Sequence, residues 1–274
     1  MAKLSKAQIK AHKEVMDLVD LDRPLFEDER EFILDNFQES ATNVNSQHGA
    51  FFTPRGLAVD LSIEIGKGSI VDLCAGIGSL AYAVRDRATR LVCIEFNPEY
   101  ARVGRRVVPE AEWIVASIFD PLIAGLGWFN YAISNPPFGY IAAEGFDGKY
   151  TGKSFEYKAI EVASRMAAYG AFIIPQCSAP FAYSGKRLYN SKEGANPRKF
   201  REQTGIVMEF GTGVDTAYYQ DEWNGVSPLC EIVVCDFVVP EEEVADLQES
   251  APGPSEATAA TEVDLFGFPM EAAA

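Results

Sequence analysis

Short apolar runs recur along this chain at residues 69–74, 91–95, 112–116, 130–134, 171–175, 206–210 and 230–238, and helical patterns fill most of the gaps between them, at 79–87, 98–107 and 154–168. Runs of this length bounded by turns read as strands, and a helix-length connection brings each next strand back in parallel. Strands covered by helices on both faces need apolar residues at nearly every position, which these runs supply. The alternation predicts an α/β fold with a doubly wound, mostly parallel sheet. Two further helices are expected ahead of it, at about 6–20 and 25–38, set off from the core by the polar stretch QESATNVNSQHG. Pro54 suits the first turn of a helix reaching to about Ile65, because its missing N–H would have no partner there. No internal repeat is visible.

With 274 residues, 47% of them hydrophobic, the chain is long enough to bury a full core. No run of about 18 apolar residues is present, and the N-terminus, MAKLSKAQIKAHKEVMDL, is a charged amphipathic stretch without the apolar centre of a signal peptide. A soluble, cytoplasmic protein with no membrane partner is expected. Cys74, Cys93, Cys177, Cys230 and Cys235 are scattered, form no C-x-x-C pair and share the chain with only two histidines, so neither disulfides nor a metal site is expected. The net charge of −16 is unevenly spread, at −4 over residues 1–50, −3 over 51–240 and −9 over 241–274. The last segment has the Pro, Ser, Ala and Glu bias of a disordered acidic tail, which leaves the body nearly neutral. Within that body Lys186, Arg187, Lys192, Arg198, Lys199 and Arg201 form a basic stretch, interrupted by Glu193 and flanked by Tyr183 and Tyr189. It reads equally as a solvated loop or as a surface that tracks phosphates.

The first apolar run and its loop, SIVDLCAGIGSLA, place Gly76, Gly78 and Ala81 in a G-x-G-x-x-A pattern, with Glu95 closing the next run 19 residues after Gly76. A dinucleotide fits that pattern formally. Asp72, four positions before the first glycine, argues against it, because a pyrophosphate approaching the strand end would meet negative charge. A ligand with a cationic amino-acid end and no phosphate, such as S-adenosylmethionine, meets attraction there instead. Its ribose hydroxyls suit an acid at Glu95, whereas Asp72 as a plain strand-end cap is the alternative. Further on, ISNPPFGY sets two prolines directly after an apolar run. Both have φ fixed near −65° and push the preceding residue out of the helical region, so the chain leaves the strand as a rigid, extended platform. A strand-ending Asn-Pro turn is the simpler reading of that segment alone.

Taken in order, FFTP (51–54), DLCAGIGSL (72–80), IEFNPEY (94–100) and SNPPFG (134–139) resemble the motifs of S-adenosylmethionine-dependent amino-methyltransferases, above all the N6-adenine DNA methyltransferases. The resemblance spans about residues 49–240, between an N-terminal helical segment (1–48) and the acidic tail (241–274). It implies a seven-stranded sheet whose last strand, at 230–238, runs antiparallel. It implies that the side-chain oxygen of Asn135 and the carbonyl of Pro136 each accept one N–H of the target amine, that Pro137 helps to hold them, and that Phe138 stacks on the extruded base. Two fixed acceptors bias an amine whose lone pair is delocalised into the ring toward a reactive geometry. By the same resemblance Asp72, Ala75, Gly76 and Gly78 hold the methionine end of S-adenosylmethionine and Glu95 its ribose. Phe52, Thr53 and Pro54 close over the amino-acid moiety, Phe96 packs on the adenine ring, and either Ser117 or Asp120 meets that adenine.

No covalent nucleophile is implied, since none of the cysteines follows a proline as cytosine C5 methylation would require. DNA adenine is the first substrate expectation, an RNA base the second and a protein glutamine amide the third. A catalytically silent module that only binds nucleic acid is the reading from another class. The stretches 176–204 and 212–228 are too short for a separate target-recognition domain. In the tail, Val263, Leu265 and Phe266 of TEVDLFGF resemble the peptides by which bacterial DNA enzymes dock on the sliding clamp, and folding back on the body is the alternative.

Overall fold

The computed structural model describes residues 4–38, 51–224 and 226–238. The polar stretch before the core, the acidic tail and the clamp-like Val263, Leu265 and Phe266 lie outside the described residues. Six strands form one sheet in the order β3-β2-β1-β4-β5-β6. They are β1 (Gly68–Asp72), β2 (Ala88–Glu95), β3 (Glu112–Val115), β4 (Phe129–Ser134), β5 (Ala167–Pro175) and β6 (Cys230–Asp236). All neighbours are parallel except β5 and β6, which are antiparallel from Tyr169 opposite Asp236 to Pro175 opposite Cys230. The mostly parallel sheet and the reversed last strand are as expected.

The count of strands is corrected. Residues 206–210 make a single antiparallel bridge, Glu209 opposite Val234, among the described residues. That run is hemmed in by the left-handed Gly205 that ends the preceding helix and by the turn at Gly211, so only one residue stays in register with β6. The chain therefore has six described strands where seven were expected.

Helices cover both faces. On one lie α1 (Lys6–Val19), α2 (Glu27–Asn36), α3 (Arg55–Leu61), α4 (Ser79–Val84) and α5 (Pro98–Val107), packed against Ile70, Cys93, Ile133 and Ile173. On the other, α6 (Phe155–Ala163) and α7 (Ala195–Thr204) meet Val71, Val92, Phe172 and Val233. Ile70 and Val71 are consecutive, so the strand's two-residue period sends them to opposite layers. Every residue of β1 is buried, the polar Ser69 and Asp72 included. The helix at α7 lies inside the basic stretch, where its charged pattern carries no apolar stripe beyond the buried Pro197 and Phe200. Among the described residues no helix is long and apolar enough to cross a membrane.

The N-terminal helices share the core with the sheet. Ser5 and Gln8 form a reciprocal cap on α1, at 3.2 and 2.9 Å. Val15, Val19, Ile33 and Leu34 join the buried cluster, and Asp20 and Glu27 pair with Arg102 and Arg85. Helix α5 approaches β3 so closely that a Cβ at Gly104 would sit 2.0 Å from the Trp113 ring. That indole cannot retreat freely, because its Nε1 donates to the Val108 carbonyl at 3.0 Å. Gly104→Ala therefore overpacks this contact and lowers stability by about 1–3 kcal/mol despite the better helix propensity of alanine. Urea unfolding of parent and variant checks this; an unchanged or raised midpoint contradicts it.

Candidate active site

The strand order reverses at β1, which lies between β2 and β4, and in open parallel sheets ligands bind outside the carboxyl ends of the strands at such a point. Asp72 ends β1, Glu95 ends β2 and Asn135 follows the end of β4. A cavity of about 800 Å³ opens over this edge. Of the residues expected there, Phe52, Gly76, Glu95, Phe96, Ser117, Asp120, Asn135 and Pro137 line it. Phe51, Cys74, Tyr100, Phe119, Tyr140, Glu144 and Phe155 are among the other residues of the wall. Phe51, Cys74, Tyr100 and Tyr140 lie within or directly beside the quoted motifs, so their positions were the available signal. Glu144 belongs to an irregular loop that no local pattern marks.

Thr53, Pro54, Asp72, Ala75, Gly78, Pro136 and Phe138 do not line the cavity. Asp72 is fully buried, below Leu73 and Cys74, which do face the cavity. The Ala75 N–H is spent on the Ile94 carbonyl at 3.0 Å. Gly78 precedes α4 and packs toward Val108 and Trp113, so it serves the helix layer. Pro54 caps α3, and Pro136 is buried. Phe138 turns its ring edge-on toward Phe51, with centroids 6.1 Å apart, and packs against the core. Tyr140 is the exposed aromatic of that segment, 77% accessible.

Asn135 is held by its amide nitrogen, which donates to the Phe51 carbonyl at 2.8 Å and to Thr53 Oγ1 at 3.0 Å. A backbone carbonyl only accepts, so these partners fix which end of the amide is nitrogen. The other end, Oδ1, is buried and has no hydrogen-bond partner. Leaving such an acceptor unmet costs about 1–3 kcal/mol, which makes it a candidate for a donor brought by a ligand. The FFTP segment thus aims the asparagine, through residues more than 80 positions away in the chain.

Glu95 accepts the Gly76 N–H at 2.8 Å on Oε2 and the Asn97 N–H at 2.7 Å on Oε1. Gly76 bends back in the left-handed region, φ 56°, to make this contact, and a Cβ there would press on the Phe52 ring at 3.0 Å. A carboxylate has about four acceptor positions, so Glu95 retains acceptor capacity for a ligand hydroxyl. Burial pushes its carboxyl up, against the pull of those amides. Ser117 Oγ accepts the Phe119 N–H at 3.2 Å, and Asp120 Oδ1 accepts the Leu122 N–H at 2.9 Å, so both shape the turn after β3 and both face the cavity. Burial raises the Cys74 thiol, so it stays protonated.

Asp72 is the electrostatic exception of the site. Burial pushes its carboxyl up to about 8, with the Glu95 charge adding to the rise and the Cys74 and Ala81 backbone N–H groups opposing it. Those amides do not reach hydrogen-bonding geometry, and both oxygens are without a partner. A folded value above the unfolded 3.8 means that the native state holds a proton the unfolded chain releases. Its contribution to stability is therefore full below about pH 4 and is lost as pH rises to about 8. Asp72→Asn, which cannot ionise, gains stability relative to the parent across that window and holds a constant margin above it. Thermal melts from pH 4 to pH 9 test this, and a margin that does not change with pH contradicts it.

No family model and no curated protein matches the chain. Solved structures do. A Listeria monocytogenes protein assigned to the class I S-adenosylmethionine-dependent methyltransferases superposes with a TM-score of 0.51 at 12% identity, covering 86% of this chain and 75% of its own. A Pyrococcus horikoshii protein assigned as an RNA methyltransferase gives 0.44 at 14% identity, over 84% and 100% of the two chains. The M protein of the EcoKI type I restriction enzyme gives 0.47 at 13%, over 86% of this chain and 55% of its own. The Listeria superposition carries the assignment of architecture: this chain has the class I methyltransferase fold.

Proposed function

We propose that this chain transfers the methyl group of S-adenosylmethionine to the N6 amine of adenine in DNA. The observation that carries the reading is the buried, partnerless Oδ1 of Asn135 beside a cavity, with the amide nitrogen of the same side chain tied down twice. A planar amino group entering that cavity brings the missing donor. The residues also fit the cofactor. Glu95 has acceptor capacity for a ribose hydroxyl, Phe52 and Phe96 supply apolar wall, and the orphaned Asp72 carboxyl lies one layer beneath. When bound, S-adenosylmethionine supplies a methyl group made electrophilic by its sulfonium.

The chain's own residues then do three things. Asn135 Oδ1 accepts one N–H of the amine and the backbone carbonyl of Pro136, whose ring is buried off the cavity, the other, which draws the nitrogen lone pair out of conjugation with the base. Pro137, in the cavity wall, keeps the backbone extended so that these acceptors are in place before substrate arrives. Tyr140, exposed and lining the cavity, stacks on the extruded base, a role that Phe138 yields by packing against Phe51. Asp120, in the cavity wall, would accept from the adenine amine of the cofactor.

Asn135→Ala is expected to lower the rate of methyl transfer by about 10²–10³ while leaving cofactor affinity intact, because the lost acceptor acts on the amine. Incubation with tritiated cofactor and separate DNA, RNA and protein acceptors reads both points. Transfer at the parent rate contradicts the role of Asn135, and label appearing only in RNA or protein contradicts the DNA assignment. Tyr140→Ala weakens DNA binding by about 1–3 kcal/mol if the ring stacks on a base.

Thr53 gives a finer check, since it touches Asn135 without lining the cavity. Thr53→Val lowers kcat by up to about tenfold, the worth of an ordinary hydrogen bond, with KM for the cofactor unchanged. Thr53→Ser restores the rate. A valine variant that loses cofactor affinity instead supports a lid role for the segment.

A further inference from the structure

The basic stretch is a surface that the proposed chemistry leaves unused, and its structure differs from that of a solvated loop. Arginines elsewhere among the described residues give their guanidinium groups to carboxylates or backbone carbonyls: Arg55 to Asp35, Arg102 to Asp20, Arg165 to Asp147, Arg87 to the Ile65 carbonyl; within the stretch Arg201 does so to Glu193. Arg187 and Arg198 make no such bond, and both are exposed, as are Lys186, Lys192 and Lys199. The stretch thus gathers five exposed cations, Lys186, Arg187, Lys192, Arg198 and Lys199, around a Glu193 that is already engaged by Arg201.

The segment is also anchored from below. Ala182 and Asn190 exchange backbone hydrogen bonds at 2.8 and 3.0 Å, closing a hairpin whose tip carries Lys186, Arg187 and Leu188. Glu231, buried on β6, accepts the Tyr183 N–H at 2.8 Å, the Ser184 N–H at 3.0 Å and the Ser184 hydroxyl at 2.7 Å. A buried carboxylate satisfied by backbone amides is an expensive way to hold a loop that has no task. Tyr189 lies against Phe181 and Phe210, with centroids 5.8 and 4.9 Å apart, while Leu188 beside it is 79% exposed.

Position joins this surface to the site. The hairpin follows the carboxyl end of β5, the same sheet edge on which Asp72, Glu95 and Asn135 stand. Helix α7 stacks Phe200 on Tyr157 at 4.8 Å and holds Lys199 over the Tyr150 ring at 5.9 Å. Tyr150 continues the loop whose earlier part, Ile141 to Gly145, lines the cavity.

We infer that the hairpin at 182–190 and the start of α7 grip the phosphate backbone of duplex DNA beside the cavity, with Arg187 and Arg198 as phosphate ligands. The inference rests on the DNA reading above and deepens it. The grip supplies affinity without sequence readout and holds the duplex at the edge where the base must enter.

The test is fluorescence anisotropy of a labelled duplex with the full chain across a salt series. Each phosphate contact contributes about 0.9 to the slope of log K against log salt, so Arg187→Glu with Arg198→Glu flattens that slope by about 2. Cofactor affinity and melting temperature stay at parent values. Lys10→Glu with Lys13→Glu on α1, a change of equal charge, leaves the slope unaltered. Duplex binding by the parent with an unchanged slope in the hairpin variant, or an equal loss in the α1 variant, overturns this surface and leaves the DNA reading standing. A parent that binds no duplex while methylating RNA overturns both.

Discussion

Complete burial of β1 is the constraint from which the rest follows. A strand with no solvent-facing side chain needs helices on both faces and a hydrogen-bonded neighbour on each edge, and β2 and β4 occupy those edges. Helical connections on opposite faces then make the chain wind outward in two directions from β1. The crevice created where the directions part has no connecting chain across it, so it is where a ligand fits without displacing structure. Asp72, Glu95 and Asn135 converge there because each stands at the end of a strand that meets this crevice.

Buried carboxylates divide into two kinds. Glu156, Glu161 and Glu231 are each saturated by donors: Glu156 by Ser178 and the Gly139 N–H, Glu161 by the Tyr150 N–H, Glu231 by the Ser184 group. All three tie loops at the carboxyl edge to the helices and strand beneath, which gives the catalytic and hairpin segments rigid footings. Asp72 is buried just as deeply with no donor in hydrogen-bonding geometry. A carboxyl kept in that condition is a local cost to the fold, and costs of this kind gather at functional sites.

Much of the architecture was legible from periodicity. Strand and helix positions came through to within a few residues because burial on both faces leaves an unbroken apolar run, and helix starts such as Asn97-Pro98 carry their own capping chemistry. The run at 206–210 failed as a strand because its length was set by turns at either end, which periodicity does not weigh. Helix α7 went unseen because it buries little beyond Pro197 and Phe200, and a helix supported by so few contacts has no stripe to read.

The sequence by itself determined that Glu95 and Asn135 stand at strand ends, since that depends only on where each apolar run stops; the run at 69–74 passes Asp72, whose place at the end of β1 came with the turn at Leu73. Tertiary structure alone decided what those residues meet. Packing put Asp72 beneath the cavity floor, turned Phe138 toward Phe51 and left Tyr140 exposed, and brought Thr53 to the amide of Asn135 across 82 positions of chain. Hydrogen bonds between segments so far apart follow from how two helical layers seat on one sheet. Side-chain volumes and register set that seating jointly, and no local window of sequence contains both.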